Sequence, residues 1–190
     1  MNSSPHASTP SLLTRRRDPA QQDPSCSETG VCRDTPCPPR AELRQQLVGH
    51  TSFPYSSRAT DTWDVLKEAD ADPAAAADVL LIYADRSTNG AQEYNSGKGW
   101  NREHLWPQSL MRAKARSNDV PATDLHALRA SLESCNGYRG NLVFGSVPVG
   151  TPARADCPLL ICEGGVCEPD DTIKGEIARA LMYMALRYDG

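Results

Sequence analysis

At 190 residues the chain has the size of one domain with a short extension, and its 39% hydrophobic content, thinnest in the first forty residues, still allows a real core after them. Its longest apolar run, Val79-Leu80-Leu81-Ile82-Tyr83-Ala84, is far too short to span a bilayer, and no membrane role is expected. The net charge of −4 argues against a general polyanion binder, yet residues 98–141 hold seven bases against four acids, a basic island that gives the local positive field a phosphate site needs.

Residues 1–40 carry seven of the fifteen prolines, little aromatic content and mixed charges. Such a stretch cannot bury enough surface to offset its ordering entropy, so it is expected to be a disordered tail before a domain over 41–190. The cysteines at 26, 32, 37, 135, 157, 162 and 167 contain no C-x-x-C pair, which disfavours a structural zinc site and favours disulfides. Two triplets with Cys135 left alone between them predict up to three bridges and one free or buried thiol. The first residues show no apolar leader, whereas disulfides imply an oxidising compartment; the cysteines are given more weight.

From Ala41 the pattern turns globular. Leu43, Leu47 and His50 keep helical spacing, with Gly49 as a stop. Asp61 through Leu66 opens a second helix with an acidic first turn. Asp72-Pro73-Ala74 to Ala77 has the form of an N-cap, a first-turn proline and helix formers, and Val79 to Ala84 that of a buried strand. Asn89-Gly90 and Asn95-Ser96-Gly97 are turn signals.

The chain then reaches Trp100-Asn101-Arg102-Glu103-His104-Leu105-Trp106-Pro107. A carboxylate and an imidazole stand side by side, preceded by a guanidinium, which is the composition of a metal-assisted hydrolytic site. Pro107 biases this stretch toward extended backbone, so adjacent Glu103 and His104 face opposite sides of a strand and can do different jobs. The competing account is a half-buried aromatic strand with a solvated Glu. A basic loop follows, with Arg112, Lys114 and Arg116. Pro121 to Asp124 then starts a predicted helix in which Leu125, Leu128, Leu132 and Cys135 form one apolar stripe, stopped at Asn136-Gly137. His126 is read as a structural hydrogen-bonding residue of that helix. Residues 147–166 are expected as a stapled loop. Asp170-Asp171 caps a last helix with Ile173, Ile177, Leu181, Met184 and Tyr188 along one face.

Four stretches together carry a resemblance. They are Asn101 through Ser109, Asp124-Leu125-His126, Asn136-Gly137-Tyr138-Arg139-Gly140-Asn141 with Phe144-Gly145, and Glu168-Pro169-Asp170 running into Lys174 through Tyr188. In this order, over roughly residues 41–190, the chain resembles the endonuclease I family of secreted and periplasmic nucleases. The resemblance implies an α+β domain with a ββα-metal (His-Me finger) catalytic core and disulfide-stapled loops, acting as a monomer. It implies non-specific hydrolysis of DNA, and of RNA as well in many members, to 5′-phosphate products. By position it makes Glu103 and Asn136 ligands of one divalent cation and His104 the general base, with Asn141 a second claimant as ligand or substrate contact. Oxygen ligands favour Mg²⁺, with Ca²⁺ or Mn²⁺ as alternatives. Arg139, Arg102, Arg112 and Arg116 are the candidate phosphate-binding arginines. The chain departs from the family where a second His commonly follows Asp-Leu-His, here Ala127. Two rivals are a nucleic-acid-binding protein without catalysis and a disulfide-rich extracellular interaction module.

Overall fold

The computed structural model describes residues 38–111 and 120–188. Most of the expected tail, with Cys26, Cys32 and Cys37, and the loop residues Arg112, Lys114 and Arg116 lie outside the described residues. The rest folds as a mixed α+β assembly of five helices and eight strands among the described residues.

Helix α1 spans Arg40–Gln46 and ends, as expected, by Gly49, whose φ of 86° is the left-handed conformation glycine adopts without cost. Helix α2 spans Thr62–Ala69 and starts with a capping box: Asp61 accepts from the Trp63 backbone N–H at 2.8 Å, and Asp64 accepts from the Asp61 N–H at 3.2 Å. The helix predicted over 72–77 is absent. Asp72 instead accepts the Ala74 N–H at 2.8 Å and closes a turn between β1 (Ala71–Asp72) and β2 (Ala75–Leu81). An Asp before a Pro serves an Asx turn as readily as a helix cap. Strand β3 (Arg86–Asn89) completes an antiparallel sheet in the order β1-β2-β3.

Strand β4 (Trp100–His104) pairs antiparallel with β5 (Leu128–Leu132), which sets Glu103 opposite Arg129 and His104 opposite Leu128. Here the predicted helix is corrected. Only Val120–Thr123 is helical before it (α3), His126 sits in a turn, and residues 128–132 are a strand. Helix α4 starts at Glu133 and runs to Arg139, so Asn136-Gly137 lies inside it; Gly140, with φ of 54°, follows its last turn.

Strands β6 (Val143–Phe144), β7 (Leu160–Glu163) and β8 (Val166–Pro169) form a third sheet in the order β6-β8-β7, so the expected loop over 147–166 contains a strand. A Cys162–Cys167 disulfide joins directly opposed residues of β7 and β8. A second, Cys135–Cys157, corrects the expectation of a lone Cys135. Helix α5 (Asp171–Tyr188) is capped by Asp170, which accepts the Thr172 N–H at 2.9 Å. Its Ile173, Ile177, Ala180 and Met184 are buried, with Leu66, Val79, Leu81, Tyr83, Trp100, Leu128 and Leu160 also in the core. No helix among the described residues is long and apolar enough to cross a membrane.

Candidate active site

Strands β4 and β5 followed directly by α4 form one unit that brings distant residues to a single cleft of about 270 Å³. Glu103, His104, Pro107, Gln108, Asn136, Gly137, Arg139, Gly140 and Asn141 line it. The pairing of β4 with β5 explains the convergence. The chain leaves the cleft at His104, returns along β5, and turns into α4, whose last turns lie beside the end of β4.

Glu103 is 1% exposed, a burial that an ionised carboxylate tolerates only with partners. The Tyr83 hydroxyl donates to its Oε1 at 2.7 Å, and Arg139 Nη1 stands 3.4 Å from the same oxygen. Burial pushes the Glu103 carboxyl up to about 7, against the opposing pull of Arg139, Tyr83 and the His104 backbone N–H. A divalent cation bound by this carboxylate would favour the ionised form.

His104 lies at the end of β4 with its Nε2 2.9 Å from the Ala122 carbonyl oxygen and 3.0 Å from Gln108 Nε2. The carbonyl only accepts, so His104 Nε2 carries the proton and Nδ1 is the lone-pair nitrogen; the Gln108 carboxamide then turns its oxygen rather than its NH2 toward the ring. The ring stacks on Tyr55 with centroids 5.7 Å apart. Burial, helped by the charges of Arg102 and Arg139, lowers its pKa to about 4, so the imidazole is neutral at pH 7 and available as a base.

Asn136 donates Nδ2 to Asn101 Oδ1 at 2.7 Å and to the Arg102 carbonyl at 3.2 Å. Two acceptors on one end fix the amide orientation, and Oδ1 is the end left for a ligand. A carboxylate oxygen and an amide oxygen are hard donors that fit Mg²⁺, Ca²⁺ or Mn²⁺. Asn141 is exposed on the cleft wall.

Of the candidate phosphate-binding arginines, Arg139 and Arg102 lie among the described residues. Arg139 is 1% exposed and donates Nη1 to the His104 carbonyl at 2.9 Å and Nη2 to the Leu105 carbonyl at 2.7 Å, so it binds the protein's own backbone rather than standing ready as a phosphate clamp. Arg102 is absent from the cleft lining. It lies 3.4 Å from the Tyr55 ring centroid and 4.2 Å from that of Trp63, and donates to the Tyr55 carbonyl and the Thr62 hydroxyl. Trp100 is core: its Nε1 donates to the Gly90 carbonyl at 3.0 Å. Tyr83, Tyr55, Gln108 and Ala122 are the residues that sequence reasoning missed. Tyr83 alone carried a signal, a hydroxyl inside an otherwise apolar run, which needs a partner once buried.

The Endonuclease I family matches the chain over residues 39–190. Among curated proteins, the extracellular ribonuclease of Bacillus amyloliquefaciens is 36% identical over 151 residues, 80% of this chain and 49% of that protein. The extracellular ribonuclease of Bacillus subtilis (strain 168) is 35% identical over 151 residues, with the same coverage of 80% and 49%. The match thus spans about half the length of these relatives. No solved structure matches the chain.

Proposed function

The chain belongs to the endonuclease I family, and from that premise we propose that it is a metal-dependent, sequence-non-specific endonuclease acting on RNA, DNA or both. The observation that carries this reading is the convergence in one cleft of a buried carboxylate, an orientation-fixed amide and a neutral imidazole, Glu103, Asn136 and His104. In this reading β4, β5 and α4 are the ββα core of a His-Me finger.

Glu103 and Asn136 would hold a single divalent cation, Mg²⁺ first, because two hard oxygen donors suit Mg²⁺ better than zinc. When bound, the cation neutralises charge growing on the phosphate and on the leaving 3′ oxygen. His104 Nδ1 takes a proton from a water molecule whose oxygen bonds to phosphorus as the bond to the 3′ oxygen breaks. The products are a 5′-phosphate and a 3′-hydroxyl, the latter protonated from solvent. Asn141 on the cleft wall and Arg112 and Arg116 of the basic loop contact the substrate backbone, while Arg139 positions the strand that carries Glu103 and His104. Phosphate contacts carry no sequence information, so cleavage through them is non-specific.

The ribonuclease names of the relatives put RNA first among substrates to test, and their extracellular description, with the two disulfides, favours work outside the cytoplasm. The test is cleavage of single-stranded RNA and of plasmid DNA by the oxidised protein and its His104→Ala variant, with Mg²⁺ and with EDTA. We expect Mg²⁺-dependent cleavage and a loss of about 10²–10⁴ in turnover for the variant. A folded, oxidised wild type that binds nucleic acid but cleaves neither substrate with any divalent ion would replace this reading with that of a binding protein.

A further inference from the structure

We propose that Tyr83 is a positioning residue that aims the Glu103 carboxylate at the divalent cation. The proposal rests on the reading of Glu103 as a metal ligand. Tyr83 is fully buried in the turn after β2 and is not among the residues lining the cleft, so any effect on the site passes through Glu103. Its ring belongs to the apolar core, and its backbone is pinned by the Leu159 N–H, which donates to the Tyr83 carbonyl at 3.2 Å. A phenylalanine would fill this place equally well. The added hydroxyl costs free energy in an apolar core unless it is bonded, and its partner is Glu103 Oε1, 2.7 Å away across 20 residues of sequence.

The neighbouring cation explains what that bond does. Arg139 Nη1 stands 3.4 Å from the same Oε1 while its Nη1 and Nη2 are engaged by the His104 and Leu105 carbonyls, so it supplies charge compensation without a short bond of its own to fix the carboxylate's rotation. The Tyr83 hydroxyl supplies a directional bond from a ring locked by packing and so holds Oε1 in place, while Glu103 itself lines the cleft. Arg139 compensates the charge, and Tyr83 sets the rotation. On the other ligand, Asn136 is arranged in the same way, with Nδ2 tied to β4 and Oδ1 left over.

The experiment is calorimetric titration of Mn²⁺ into the oxidised wild type, Tyr83→Phe and Tyr138→Phe, with melting temperatures and Mg²⁺-dependent turnover read on the same preparations. Tyr138 is the control: its hydroxyl accepts the Cys162 N–H at 2.8 Å and donates to the Cys162 carbonyl at 3.0 Å, outside the cleft. We expect Tyr83→Phe to bind Mn²⁺ about 10–100-fold more weakly, the usual effect of losing a partner that orients a metal ligand. Turnover should recover at saturating Mg²⁺, and Tyr138→Phe should bind Mn²⁺ as the wild type does. An unchanged Mn²⁺ affinity in Tyr83→Phe, with only its melting temperature lowered, overturns the proposal and makes the hydroxyl purely structural. A wild type that binds no divalent cation removes the metal-dependent reading of the cleft and the role of Tyr83 with it.

Discussion

Burial decides what each charged residue of the cleft does. Glu103 and His104 were legible as chemistry because a carboxylate and an imidazole stand at adjacent positions of one strand. Arg139 was legible only as a charge near the site. Its position at the end of α4 turns the guanidinium inward, where it holds the His104 and Leu105 carbonyls and faces Glu103. Breaking a buried ion pair by removing one partner strands the other charge, which costs about 3–5 kcal/mol. Arg139→Ala is therefore expected to lose stability on that scale in urea unfolding, before any question of catalysis arises. A phosphate clamp predicts the opposite pattern, lost substrate affinity at unchanged stability. Gln108 and Ala122 escaped sequence reasoning for a plainer reason: a carboxamide and a backbone carbonyl acquire a role only when the fold lays them against an imidazole.

At the scale of elements, the misread stretches are those where one residue pattern satisfies two structures. Leu128 and Leu132 belong to a helical stripe with Leu125 and Cys135, but they also alternate with period two, and β5 buries Leu128, Ala130, Ser131 and Leu132 between neighbouring layers. Pairing with β4 and with the end of the first sheet, where the Ile82 N–H donates to the Ala130 carbonyl at 3.0 Å, outweighs local helix preference. Helix α4 then holds only seven residues, too few to be stable alone. It is anchored instead through Cys135, whose bridge to Cys157 closes a separation of 22 residues. Chain entropy assigns such a bridge about 3 kcal/mol, and the Cys162–Cys167 bridge, with its separation of 5, about 2 kcal/mol. Replacing Cys135 and Cys157 together by Ala should thus lower stability more than replacing Cys162 and Cys167. Paired denaturant melts check this, and equal losses would mean that the loop-closure account fails here.

For the molecule as a whole, the order of the outer helices was legible from caps and stripes, whereas what ties them together was not. That tie is Asp124, a buried carboxylate that accepts the Tyr183 hydroxyl at 2.7 Å, the Tyr188 hydroxyl at 2.6 Å and the His126 N–H at 3.0 Å, with His50 Nε2 3.6 Å away. Residues from the α1 end of the domain, from the turn before β5 and from the end of α5 meet on this one side chain. Burial alone would raise its pKa, but hydrogen bonds from Tyr188, Tyr183 and His126 outweigh burial and hold it below the ordinary carboxylate range. A carboxylate lowered in the folded state stabilises the fold fully above its unfolded value of about 4, and that contribution is lost as pH falls through the lower folded value. Between neutral pH and about 4.5 the raised Glu103 carboxyl gains stability on acidification while the lowered His104 imidazole loses it, so the two oppose each other and the melting temperature should change little there, then drop below about 4 as Asp124 is protonated. Asp124→Asn keeps the shape but loses charge-assisted bonds, so it is expected to cost about 2–3 kcal/mol at pH 7 and to flatten the acid limb. A variant that melts lower at pH 7 yet retains the wild-type acid slope would place the titration on another carboxylate and leave Asp124 a hub of shape alone.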